Sequence, residues 1–262
     1  MIRLAANLSF LFAEVPFLDR FGAAAATGFH HVEWMFAYDH ADAELAARLR
    51  DHALGLCLLN TPPGDLAAGE LGLGALPGRE ADCARAFDRA LEQAVALGSP
   101  LIHFLAGNPP AGSDPAAIDA LFLENLARAS DLAATAGVTL TLEPLNRRDR
   151  PHYHLSTVDH ALRLIGLAGR PNIRLQFDLY HCQISEGDII RLIERVHPSI
   201  GHVQIAGLPD RAEPSTGELA HAVVLQRLDA LGYRGFVGCE YTPAGTTLGG
   251  LGWAAPWLDA ER

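Results

Sequence analysis

Residues 137–144 read Gly-Val-Thr-Leu-Thr-Leu-Glu-Pro. This is a short apolar and β-branched run, too short for a helix, that closes on Glu143 and is stopped by Pro144. Gly137 stands where a helix predicted over 115–136 needs a left-handed cap. Working outward in both directions, the same unit recurs. Short apolar runs are predicted as strands over 3–8, 30–35, 55–60, 101–106, 138–143, 173–178, 200–205 and 236–241, separated by helical spacing over 16–27, 42–52, 79–97, 115–136 and 156–168. Gly28, Gly98 and Gly232 fit further helix caps. Eight β/α units in a chain of 262 residues point to an α/β protein built as one (β/α)₈ TIM barrel, with residues 1–262 as a single domain. A doubly wound sheet is the rival, but the chain lacks the glycine-rich phosphate turn that fold usually carries after its first strand.

The runs end alike. Their polar tips, in order, are Asn7, Glu33, Asn60, His103, Glu143, Asp178, Gln204 and Glu240. In a barrel these tips converge on the mouth where such folds keep their chemistry. Glu143, Asp178 and Glu240 come from the fifth, sixth and eighth runs, with Gln204 on the seventh. Three carboxylates side by side repel or take up protons unless a positive charge joins them. Oxygen-only donors favour Mg²⁺ or Mn²⁺ over zinc, so Glu143, Asp178, Gln204 and Glu240 are the expected ligands of a divalent metal. His181, three residues past Asp178, is expected to hydrogen-bond a substrate oxygen. Asn7, Asn60 and His103 are expected to face the substrate from other strand tips, with His202 beside Gln204. Arg211, in Pro-Asp-Arg-Ala-Glu-Pro, is suited to pair with an anionic substrate. The Pro- and Gly-rich stretch 61–78 is a candidate cover for the mouth, and 144–155 is another.

Composition removes several classes. The net charge is −11 and no basic run occurs, which argues against a nucleic-acid partner. All 20 cationic side chains are arginine; without lysine, Schiff-base and pyridoxal-phosphate chemistry have no amine to use. Cys57, Cys83, Cys182 and Cys239 are scattered with no CxxC pair, so neither a disulfide framework nor a structural zinc site is expected. No Gly-x-Ser-x-Gly elbow is present. Cys239 should point away from the mouth if Glu240 points in. No run is apolar and long enough for a membrane span, and the N-terminal residues read as a first strand rather than a leader. A cytoplasmic protein with no membrane partner is expected, and self-association as a homo-oligomer is left open.

A family resemblance now rests on particular blocks: Ala6-Asn-Leu-Ser9, Asn60-Thr-Pro-Pro-Gly-Asp65, Leu76-Pro-Gly-Arg-Glu80, Glu143-Pro-Leu-Asn146, Gln176-Phe-Asp-Leu-Tyr-His-Cys-Gln183, His202-Val-Gln-Ile-Ala206 and Gly238-Cys-Glu-Tyr241. The chain resembles the hydroxypyruvate isomerases among the xylose-isomerase-like TIM barrels, a group that includes the 2-oxo-tetronate isomerases. The resemblance implies metal ligation at Glu143, Asp178, Gln204 and Glu240, with Glu143 and Glu240 as the catalytic acid/base pair. It implies a small anionic hydroxy-keto acid as substrate, hydroxypyruvate first and 2-oxo-tetronate as the alternative. Related ketose 3-epimerases typically carry His where this chain has Gln204. The resemblance departs at Leu71, where the family pattern leads one to expect arginine. Related abasic-site endonucleases need a histidine-rich multi-metal site and a basic face. A sugar 3-epimerase and a non-catalytic metal-binding barrel complete the alternatives.

Overall fold

Eight parallel strands close into a barrel in the order of the chain, β1 (Arg3–Asn7), β2 (His31–Trp34), β3 (Gly55–Asn60), β4 (Leu101–His103), β5 (Thr139–Leu142), β6 (Ile173–Asp178), β7 (Ile200–Ile205) and β8 (Phe236–Cys239). The computed structural model describes residues 2–258. β8 returns to β1 with Leu4 opposite Val237 and Ala6 opposite Cys239. Several strands end sooner than their apolar runs, because a parallel ladder lasts only as long as both neighbours supply partners. Glu143 and Glu240 therefore sit one residue beyond β5 and β8, Glu240 still donating its N–H to the Ile205 carbonyl of β7 at 3.1 Å.

The outer layer follows the predicted segments closely: α1 (Arg20–Ala26), α2 (Asp42–Asp51), α3 (Glu80–Leu97), α4 (Pro115–Thr135) and α5 (Val158–Ala168). α4 starts where Asp114 accepts from the Ala116 N–H and Pro115 takes the first turn, where its missing donor costs nothing. Ile118, Phe122, Leu126, Ala129 and Ala133 form its buried stripe, at the spacing of one helical face. Each large side chain on that stripe stabilises the fold by roughly 1.5–3 kcal/mol through lost apolar contact with water. α3 ends at Gly98, whose φ of 71° is the left-handed conformation that a side chain disfavours. Past β6 come α6 (Leu179–Ser185), α7 (Ile189–Val196) and, after β7, α8 (His221–Ala230); two one-turn helices, α9 (Thr247–Gly250) and α10 (Ala255–Leu258), follow β8.

Two irregularities matter for the site. The register shifts between Val32 and Glu33 where β2 meets β3, and between Leu175 and Gln176 where β6 meets β7. Such shifts re-aim the next side chain. Here the next side chains are Glu33 and Gln176, both buried in the interior. Gly238 makes room for one of them: a Cβ on it would stand 2.2 Å from Glu33 Oε1. The stretch 61–78 is pinned at its second half, where Gly72 bridges to Ala106 and the Ala75 N–H donates to the Ala106 carbonyl at 2.7 Å. Residues 64–69 remain exposed. Leu71 packs half-buried against the core. The four cysteines are free and buried, Cys239 within the core. Among the described residues no helix is long and apolar enough to cross a membrane.

Candidate active site

The mouth is built from two half-sites joined by an arginine. The first half is Glu143 and Asp178. Asp178 caps α6, with Oδ1 accepting from the Tyr180 N–H at 2.8 Å. That bond leaves Oδ2 buried without a hydrogen bond, and Glu143 Oε1 is likewise buried without one. Acceptor oxygens in that condition are costly unless a proton or cation meets them. Donor atoms of Glu143, Asp178 and His181 all lie within 4.8 Å of one another, a spread one cation spans with small adjustments. Burial raises the Glu143 pKa well above the ordinary carboxylate range, and the Glu240 and Asp178 charges add to it.

The second half is Glu240 and Gln204. Glu240 Oε2 accepts from Gln204 Nε2 and, at 3.2 Å, from Asn7 Nδ2. Its Oε1 accepts from Arg211 Nη2 at 2.6 Å, and the same guanidinium reaches to 3.6 Å from Asp178 Oδ2. Burial still pushes the Glu240 carboxyl up to about 8, Arg211 opposing and Asp178 reinforcing the shift. Arg211 thus supplies counter-charge to the carboxylates from a loop residue with φ of 55°, its guanidinium lying over the rings of Phe10 and Tyr180. A non-glycine residue at positive φ is uncommon and is held there only by its surroundings.

Below the rim runs a second polar layer whose roles sequence reasoning missed. Thr141 Oγ1 donates to Gln176 Oε1 at 2.7 Å, which fixes the amide so that Nε2 donates to Glu143 Oε2 at 3.2 Å and to Gln204 Oε1 at 2.7 Å. Gln204 Nε2 then faces Glu240 and, at 2.8 Å, Glu33. Glu33 also accepts from Asn7 at 3.0 Å and lies 2.7 Å from His202 Nε2. Gln176 and Glu33 thereby tie the two halves into one network. The signal available was parity: Gln176 lies two residues before Asp178, on the same side of β6.

The expected substrate contacts fall out unevenly. Asn146 donates from its backbone N–H at 3.2 Å, and lies 2.7 Å away through Nδ2, to His181 Nδ1. The Asn146 amide is oriented by Asp149, whose N–H donates to Oδ1 at 2.9 Å. Two N–H groups aimed at Nδ1 put the imidazole proton on Nε2, 3.7 Å from Asp178 Oδ2. Burial holds the His181 pKa down to about 4, so the ring is neutral and Nε2–H is a donor. His103 has both ring nitrogens buried without hydrogen bonds, Nδ1 standing 3.3 Å from Glu143 Oε2. Asn7 is spent on Glu33, Glu240 and the Ser9 N–H. Asn60 is buried at the end of β3, where its backbone carbonyl accepts from Tyr38.

The sequence model described as xylose isomerase-like TIM barrel matches residues 21–260. The chain belongs to that family. It is 51% identical to a 2-oxo-tetronate isomerase of Cupriavidus necator, over 98% of this chain and 99% of that one. It is 41% identical to the hydroxypyruvate isomerase of Escherichia coli, over 98% of this chain and all of that one. A crystal structure from Brucella melitensis, described as an AP endonuclease of family 2, superposes with a TM-score of 0.96 at 46% identity, covering 98% of this chain and 99% of its own. The donor set at the mouth of this family member is compatible with a metal.

Proposed function

We propose that this protein is a divalent-metal-dependent isomerase that moves the carbonyl of a small 2-oxo acid from C2 to C3, with residues 1–262 working as one catalytic domain. The observation that carries it is the pair of buried glutamates, Glu143 and Glu240, on opposite halves of a mouth that also holds neutral donors and an arginine. One glutamate takes the proton from the C3 carbon, which bears the hydroxyl, and the other returns a proton to C2. Each positioned acid or base is worth about 10²–10⁴-fold in rate. His181 Nε2–H donates to a substrate oxygen, and His103 lines the Glu143 side. Arg211 holds the substrate carboxylate.

Glu143, Asp178, Gln204 and Glu240 would hold Mg²⁺ or Mn²⁺, given their oxygen donors and the buried oxygens of the first two that lack a hydrogen bond. When bound, the cation supplies positive charge to the enediolate oxygens, usually the largest single contribution to such a reaction. The double hydrogen bond onto His181 Nδ1 supports keeping that residue as a substrate donor rather than a fifth ligand.

Hydroxypyruvate and 2-oxo-tetronate present the same reacting carbons and differ by one carbon at the far end. Relatives named for each align over nearly the whole chain; the 51% identity to the C. necator protein tilts the choice towards 2-oxo-tetronate. A nuclease reading is disfavoured by the net charge of −11 and the absence of lysine. Four buried free thiols are in keeping with a cytoplasmic enzyme. The test is exchange of the C3 proton in deuterated water, with either acid and Mg²⁺ or Mn²⁺, together with kcat/KM on both. Absence of exchange with both acids in folded, metal-loaded protein would overturn the reading.

A further inference from the structure

On the outer wall of the barrel, three side chains with metal-binding donors converge from three separate segments. Asp119 lies in the second turn of α4, His160 in the first turn of α5, and His154 in the connection that leads from β5 into α5. His160 is positioned by the α5 cap, where its own N–H donates to Thr157 Oγ1. His154 is positioned by its N–H, which donates to the Gly107 carbonyl at 3.0 Å, and by the ring of Phe122 at 5.6 Å. His154 Nε2 lies 3.0 Å and His160 Nε2 lies 2.9 Å from the same oxygen, Asp119 Oδ1. Arg163, one turn past His160, takes the other oxygen, Oδ2.

A plain ion-pair cluster does not account for this. His154 has only 7% of its side chain exposed, yet its Nε2 is buried without a hydrogen bond despite the nearby carboxylate. The ring is close to Asp119 but not aligned to donate to it. The donor atoms of all three residues lie within 4.8 Å of one another. Ligands of a tetrahedral zinc ion lie about 3.3 Å apart, given bonds of about 2.0–2.1 Å, so small side-chain rotations bring them to that spacing.

We propose that Asp119, His154 and His160 form a second metal site, selective for a zinc-like divalent ion. Two imidazoles and one carboxylate suit zinc, whereas the oxygen-rich mouth suits Mg²⁺ or Mn²⁺. Arg163 on the outer oxygen orients the carboxylate and leaves Oδ1 to the ion. Three protein ligands leave an open position, and the cluster borders a cavity of 590 Å³ lined by Pro109, Gly112, Ser113, Arg147 and His152. The ion would fasten α4, the first turn of α5 and the connection that carries Asn146 to His181, so occupancy would stiffen the support of the mouth from outside.

The test is zinc titration of chelator-stripped full-length protein in four forms: wild type, the double variant His154→Asn/His160→Asn, Asp178→Asn, and all three together. The double variant is expected to lose one zinc equivalent per chain that Asp178→Asn retains. In the wild type, the imidazole resonances of His154 and His160 are expected to shift on adding zinc and to stay put on adding Mg²⁺. The idea fails if the double variant binds as many equivalents as the wild type with unchanged affinity. It fails equally if saturating zinc leaves both imidazoles unmoved, a reading that does not depend on whether any variant folds.

Discussion

Arg211 donates to Glu240 across 2.6 Å from a backbone held at φ 55°. Its guanidinium is only partly exposed and stands among three carboxylates, so without a metal it is the group that lets them share the mouth. Arg211→Gln should therefore unsettle chelator-treated protein most. Removing one partner of a buried pair costs about 3–5 kcal/mol, and the lower end applies to a side chain with some solvent access. Adding Mn²⁺ should recover much of that loss, because the cation replaces the missing charge. Thermal unfolding with chelator and with Mn²⁺ decides it; an equal loss in both conditions would show that Arg211 is not balancing the metal carboxylates.

Gln176 is expected to act on the reaction without touching the substrate. It bonds both Glu143 and Gln204, and Thr141 fixes which end of its amide does so. Outer partners of metal ligands typically contribute about 10–100-fold in metal affinity or activity. Gln176→Ala should weaken Mn²⁺ binding and lower kcat within that range, while Gln176→Glu should do worse by setting a carboxylate against Glu143 and the Gln204 amide oxygen. Metal titration and steady-state rates check it. An unchanged Mn²⁺ affinity in a folded Gln176→Ala protein would dismiss the role.

The contrast between Glu143 and Gln176 shows what a sequence makes legible. Glu143 is announced by a run, a terminating proline and its place among eight polar tips, all local signals. The barrel itself follows from repetition of that unit. Gln176 and Glu33 each follow a register shift, and a shift depends on how two strands slide past each other rather than on either strand's residues. Arg211 could be named as an anion binder, but its reach to Glu240 depends on the path of an irregular loop. The wall cluster is less legible still, since Asp119 and His160 are 41 residues apart and meet only because α4 packs on α5.

Gly238 should be intolerant of even a methyl group. The space a Cβ would occupy is filled by the Glu33 carboxylate, its nearest oxygen 2.2 Å away. Overpacking of this kind typically costs about 1–3 kcal/mol. Gly238→Ala should also loosen Gln204, which Glu33 orients. Shortening the acid in Gly238→Ala/Glu33→Asp should return part of the stability by withdrawing the carboxylate. A denaturant-unfolding cycle over the four proteins measures it, and strict additivity of the two single losses would mean the clash was relieved elsewhere.

The neutral, buried histidines set an acid limit that can be isolated at His154. Burial lowers its pKa from the ordinary 6.5 to about 4, so between these values the unfolded chain binds a proton that the folded chain does not. Stability then rises with pH across that window: the contribution is full above pH 6.5 and is lost as the pH falls through 4. His103 and His181, lowered to about 3 and about 4 by burial, act in the same direction. Glu240 acts oppositely in chelated protein, because a carboxyl raised to about 8 holds its proton in the folded state and favours low pH. The total slope therefore mixes signs, whereas the difference between wild type and His154→Gln does not. That variant leaves the mouth untouched. In chelator, the advantage of wild type over His154→Gln should shrink by no more than about 3 kcal/mol as the pH falls from 6.5 to 4. Urea unfolding at several pH values measures the difference, and a gap constant over the window would mean that His154 is already protonated, or already partnered, in the folded protein.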